Sequence, residues 1–166
     1  MQKFFSEFST PVGVLTLVAT ERALGGVFFE RHVHFQGTAK MQRADDLPVF
    51  DMVREQLTEY FAGKRSSFSV PLDLSAGTVF QQQVWRLLAE IPYGKTLSYA
   101  GLAEKLANPK AVRAVGAANG RNPFSILLPC HRVIASDGRL TGYAGGLENK
   151  AFLLKFEASN QQLFAE

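Results

Sequence analysis

A chain of 166 residues with one cysteine must hold itself together by burial alone, because a single thiol can close no internal disulfide. Its 46% hydrophobic content is ample for a packed core, arranged as one domain or two small ones. A lone free thiol also suits a reducing compartment, so the cytoplasm is the expected location. The start, Met1-Gln2-Lys3-Phe4-Phe5-Ser6-Glu7, carries an acid and leads into no long apolar region, and no run of about 18 apolar residues follows. Neither a signal peptide nor a membrane span is expected.

The cysteine, Cys130, sits in Pro129-Cys130-His131-Arg132-Val133-Ile134. Sulfur attacks as its thiolate, and a thiol near pKa ~8.5 is mostly protonated at neutral pH, so a histidine able to take the proton is the usual route to reactivity. By composition alone, a lone cysteine reads as an inert buried hydrophobe. The preceding Ile126-Leu127-Leu128 reads as a buried strand, with Leu128 held extended by Pro129. A buried thiol beside a histidine favours the reactive reading.

Phe4 to Phe8, Val12 to Ala19 and Leu24 to Phe29 alternate or run apolar, with breaks at Thr10-Pro11 and Glu21-Arg22, which predicts a small antiparallel sheet. Polar Gln36 to Asp46 reads as a loop. Val49, Val53, Leu57, Tyr60 and Phe61 then recur at helical spacing, so one helix should pack on the sheet. The extended segment from Phe68 to Leu74 ends at Ser75-Ala76-Gly77, a linker that places a domain boundary at residue 77.

Thr78-Val79-Phe80-Gln81 is a capping-box pattern, and Phe80, Val84, Leu87, Leu88 and Ile91 continue one apolar face. Two short helices should follow, Ser98 to Leu106 and Pro109 to Asn119, giving a helix-turn-helix pattern. On the second, Arg113, Gly116, Ala117 and Gly120 fall at i, i+3, i+4 and i+7, while Val112 and Val115 are expected to point inward. That smooth stripe with one long cation fits either tight helix packing or close approach to a DNA minor groove, about 6 Å wide, where an arginine can fill the place of a displaced base. Charge bears on the choice: residues 1–77 hold eight Lys/Arg against nine Asp/Glu, and 78–166 hold ten against six. The basic half is compatible with a polyanion partner.

Ile91-Pro92-Tyr93-Gly94-Lys95, Ser98-Tyr99, the run Asn108 to Gly116, Asn122-Pro123, Pro129 to Ile134 and Gly142-Tyr143-Ala144-Gly145-Gly146 together resemble, in order and spacing, the O6-alkylguanine-DNA alkyltransferase family. The resemblance implies an α/β protein. A small amino-terminal ribonuclease-H-like sheet-and-helix domain over 1–77 would precede a mainly helical, winged helix-turn-helix-like alkyltransferase domain over 78–166. It further implies a monomer acting on double-stranded DNA that carries O6-alkylguanine, and O4-alkylthymine, with no cofactor. The damaged base is flipped into a pocket and its alkyl group passes irreversibly to the cysteine.

Carried over by matching position, Cys130 is nucleophile and acceptor, His131 the base acting through a water, and Glu157 the group that orients His131. Glu157 has a hint of its own, since a carboxylate in a last helical turn meets the negative end of the helix dipole and is disfavoured without a partner. Asn122 matches a hinge asparagine, for which an Asx turn is the plainer reading. Tyr99 matches the tyrosine that crowds the 3′ phosphate and donates to the departing base, and Arg113 the finger that fills the stack. Ala114, Gly116 and Ala117 complete the DNA-facing surface, and Val133, Tyr143, Ala144 and Gly145 complete the pocket.

Some family members bind zinc in the first domain. Here that half lacks cysteine, and His32 and His34, read as alternating on one strand, have no further ligands, so no metal is expected. A lesion binder without chemistry is disfavoured by the Cys130, His131 and Glu157 set. A helix-turn-helix regulator and a cysteine hydrolase are the other readings weighed.

Overall fold

A computed structural model of the chain describes residues 1–164 and begins with the expected hairpin. Strands β1 (Phe4–Thr10) and β2 (Gly13–Ala19) pair antiparallel in continuous register from Phe4↔Ala19 to Thr10↔Gly13. Thr10 closes the turn by accepting from the Val12 N–H and donating to the Gly13 carbonyl, and Gly13 takes φ +94°, a left-handed value costly for other residues. Strand β3 (Leu24–Phe28) adds antiparallel to β2.

A fourth strand was not expected. β4 (Gln42–Arg43) pairs parallel with β1 inside the stretch read as a polar loop, giving the sheet order β3-β2-β1-β4. Both residues are exposed on the sheet edge, so they carry no apolar period to betray the strand.

Helix α1 (Pro48–Phe61) starts with Pro48 in its first turn and buries Val49, Phe50, Val53, Leu57 and Tyr60 in the core. Leu57 is wholly buried, and its truncation to alanine would cost about 2–5 kcal/mol. Helix α2 (Val79–Leu88) carries the predicted capping box: Gln81 N–H donates to Thr78 Oγ1 at 3.1 Å, and Thr78 N–H donates to Gln81 Oε1 at 2.9 Å. Its most buried residues are Val84, Trp85 and Leu88. Trp85, absent from the predicted face, anchors α2 by donating to the Ala118 carbonyl at 2.8 Å.

β5 (Leu97–Ser98) leads directly into α3 (Tyr99–Lys105), capped by Ser98 through the Gly101 N–H. The next helix starts later than predicted. α4 (Val112–Gly120) begins after a turn through Asn108-Pro109, with Ala107 at φ +60°, and no side chain caps it. Val115 is buried as expected, whereas Val112 is only half-buried and lines a surface pocket.

Ile126-Leu127-Leu128 is buried but is not a strand. Ile126 takes φ +72° while Leu127 N–H bonds Ser125 O at 2.9 Å, and Pro129 takes φ −78°, ψ +66° while Cys130 N–H bonds Leu128 O at 2.7 Å. These are successive three-residue turns. An apolar run looks the same in a buried strand and in a buried turn, which is why the pattern misled. The segment docks on the sheet edge, since Val27 N–H donates to Pro123 O at 2.8 Å and Ser125 N–H to Val27 O at 3.2 Å. A short 3-10 helix (Cys130–Arg132), β6 (Val133–Ile134) and α5 (Leu147–Asn160) follow, β6 pairing parallel with β5.

The buried apolar residues of both halves form one continuous core. No helix among the described residues is long and apolar enough to cross a membrane.

Candidate active site

Cys130 opens the 3-10 helix with only 6% of its surface exposed. Two successive turns aim it, and Asn122 fixes them. The Asn122 amide donates to Leu128 O at 2.8 Å and Phe124 O at 3.4 Å, and its oxygen accepts from Phe124 N–H at 3.0 Å. The bond to Phe124 N–H is an Asx turn, and the same side chain reaches on to Leu128 O.

His131 is fully buried, and its Nε2 lies 2.8 Å from Glu157 Oε2. Its Nδ1 is buried without a protein partner among the described residues. Glu157 is the hub of a larger cluster. Arg132 clamps it through Nε at 2.7 Å to Oε1 and Nη2 at 3.0 Å to Oε2, and the Tyr60 hydroxyl donates to Oε2 at 2.6 Å. Arg132 also donates to Ile91 O at 2.6 Å.

Burial opposes the charge on Glu157, yet His131 and Arg132 outweigh it and hold the carboxyl down to about 2. Burial likewise lowers the His131 pKa, so the imidazole is neutral at rest, and Arg132 is the partner that keeps Glu157 ionised. The Cys130 thiol is pushed up by burial, opposed by the Asn122 amide, the Lys150 ammonium and the Tyr143 hydroxyl. The resting thiol is thus protonated, in a setting that favours its anion once the proton has somewhere to go.

The cavity holding Cys130 has a volume of only about 10 Å³. Asn119, Asn122, Tyr143, Ala144 and Gly145 line it, and so does His32 from the sheet half. An outer pocket of about 560 Å³ shares Gly120 and the Gly142 to Ala144 loop with it and is bounded by Tyr99, Val112 and Gly116. Tyr99 is tied to this loop through Thr141 Oγ1 at 3.3 Å, and the wholly buried Lys150 donates to Thr141 O at 2.9 Å.

The sites singled out in the sequence thus fall into two groups. Cys130, His131, Glu157, Asn122, Tyr143, Ala144 and Gly145 converge, with Val133 buried directly after the 3-10 helix, while Tyr99 and Gly116 line the outer pocket. Arg113, Ala114 and Ala117 stand exposed on α4, which removes the tight-packing reading of that stripe. Sequence reasoning assigned no part in this site to Tyr60, Arg132, Lys150 or His32. Tyr60 lay on an ordinary apolar stripe, and Arg132 stood in the cysteine motif with no role of its own. His32 and His34 also lie in a turn rather than on a strand, with Phe35 N–H donating to His32 O at 3.2 Å.

Two family models match the chain: the ribonuclease-like domain of 6-O-methylguanine DNA methyltransferase over residues 4–74, and its DNA binding domain over residues 79–159. The chain belongs to the 6-O-methylguanine DNA methyltransferase family. It is 45% identical to the methylated-DNA--protein-cysteine methyltransferase of Methanosarcina acetivorans, covering 94% of this chain and 99% of that one. It is 44% identical to the constitutive methylated-DNA--protein-cysteine methyltransferase of Bacillus subtilis, covering 93% and 94%. Among solved structures, Mycobacterium tuberculosis OGT in complex with DNA superposes with a TM-score of 0.87 at 41% identity, over 95% of this chain and 94% of that one. The sheet-and-helix half followed by a mainly helical half is the family's architecture.

Proposed function

We propose that this protein reverses O6-alkylguanine, and O4-alkylthymine, in double-stranded DNA by moving the alkyl group irreversibly to Cys130. The observation that carries the proposal is a lone buried thiol next to a His131–Glu157 pair whose carboxylate is held ionised by Arg132. The exposed stripe of α4 lies along the minor groove, and Arg113 takes the place of the flipped base, offsetting part of the few kcal/mol that unstacking costs. The base passes Tyr99 and enters between the Tyr143-Ala144-Gly145 loop and Cys130. His131 takes the thiol proton through a water at its unpartnered Nδ1, and Glu157 stabilises the resulting cation.

Sulfur then attacks the alkyl carbon in line. The S–C bond forms as the C–O6 bond breaks, the electron pair leaves with guanine, and the base takes up the proton the thiol gave, with Tyr99 donating a hydrogen bond to it. The thioether has no route back. The division at residue 77, a monomeric state and a cytoplasmic location belong to the same reading, since the reaction consumes a reduced thiol. Incubation with DNA containing O6-methylguanine should add one methyl group to the peptide bearing Cys130, read by mass spectrometry. No added mass in the wild type, or methylation in Cys130→Ser, would refute the assignment.

A further inference from the structure

The sheet half reaches into the Cys130 site through the turn that follows β3. Three contacts make the connection. Phe29 packs against the loop so closely that a Cβ on Gly145 would meet its ring at 2.2 Å, and its ring centroid lies 5.8 Å from that of Tyr143. Val33 N–H donates to Ala144 O at 2.9 Å. His32, only 7% exposed, lines the same small cavity as Cys130.

We propose that this turn is a wall of the acceptor cavity and that the His32 side chain sets the size of alkyl group Cys130 accepts. The inference rests on the alkyl-transfer reading above. The space beside Cys130 is small, about 10 Å³, so a large alkyl group presses on its walls well before a methyl does. The walls differ in how firmly they are held. Asn122 is fixed by three hydrogen bonds, and the Ala144 and Gly145 backbone is clasped by Val33 and Phe29.

His32 is held more lightly. Its ring makes an edge contact with Phe28 at 5.1 Å, and its Nδ1 accepts from the His34 N–H at 3.4 Å, longer than an ordinary hydrogen bond. With Nδ1 accepting, the neutral ring carries its hydrogen on Nε2, leaving one donor uncommitted among the described residues. Burial, with His34 adding to it, lowers the His32 pKa to about 4, so the ring stays neutral at physiological pH. A lightly held neutral ring is the part of the lining that volume changes can reset at least cost to the fold.

The test compares single-turnover alkylation of Cys130 by the free bases O6-methylguanine and O6-benzylguanine, which need no extrusion from a duplex. His32→Ala should raise the benzyl-to-methyl rate ratio by roughly tenfold, the scale on which a pocket discriminates by small changes in volume. His32→Phe keeps the edge contact with Phe28, adds bulk and should lower the ratio. Melting curves on both variants separate a size effect from a general loss of structure, which would slow both substrates together. An unchanged ratio in both variants, or equal changes in the two rates, overturns the proposal. A wild-type protein that accepts neither alkyl group overturns the functional reading instead.

Discussion

Glu157 receives hydrogen bonds from Arg132 and Tyr60 and pairs with His131, all without appreciable exposure. Its carboxyl, near 4.5 when unfolded, lies at about 2 when folded, so the folded state favours the ionised form. The stability this contributes is complete above pH 4.5 and is lost as pH falls toward 2, amounting to roughly 3 kcal/mol. Glu157→Gln should abolish that part of the acid limb in denaturant titrations run at stepped pH. It should also cost about 3–5 kcal/mol at neutral pH, because Arg132 is left buried without its counter-charge. His32 acts in a higher window: its folded pKa of about 4 lies below 6.5, so the unfolded chain binds the proton first and stability falls between those values. An acid limb of undiminished size in Glu157→Gln would contradict the role assigned to the carboxylate. The need of Glu157 for a partner was legible from its place in a last helical turn. That Tyr60 and Arg132 supply it was not, because their meeting depends on packing between segments far apart in sequence, with 97 residues separating Tyr60 from Glu157.

Helix α4 and the turns after it divide the work between surface and interior. Arg113, Ala114 and Ala117 are exposed, while Val115, Ala118 and Asn119 face the core, so the smooth stripe was legible as the outward side. Arg113→Ala should slow repair of duplex DNA much more than alkylation by a free modified base, since only the duplex requires extrusion. Equal slowing in single-turnover assays of the two substrates would remove the finger role. The segment from Asn122 to Pro129 was legible as buried but not in shape. Hydrophobicity reports burial, whereas the fold of this stretch is dictated by the Asn122 bonds and by the left-handed Ile126. The Tyr143 to Gly145 loop adds a further element-scale expectation. Gly145→Ala would drive a methyl into the Phe29 ring, which a Cβ would approach to 2.2 Å, and so should open the loop or displace Phe29. Faster hydrogen exchange at the Val33 amide, which donates to Ala144, would report that opening; unchanged protection would show that the loop absorbs the clash.

At the scale of the molecule, the basic half spends part of its charge inside. Arg132 and Lys150 are both buried, the first against Glu157 and the second on the Thr141 carbonyl, so the excess of cations counted in the sequence overstates what a polyanion meets. The Lys150 ammonium and the Cys130 sulfur influence each other, each easing the other's charged form against the cost of burial. Alkylation removes the possibility of an anionic sulfur and inserts a group into a cavity of about 10 Å³. Overfilling a packed site typically costs about 1–3 kcal/mol. Both changes fall within a core continuous across the two halves, so the loss should register in the stability of the whole chain. The methylated protein should therefore melt several degrees below the unreacted form, at about 2–4 °C per kcal/mol for a chain of this size, and a benzyl group should deepen the loss. Product should stop at one equivalent of repaired guanine per chain. Melting temperature and stoichiometry measured on one preparation test both parts: an unshifted melt would mean that the cavity relaxes around the thioether, and several equivalents per chain would mean that the thioether is cleaved.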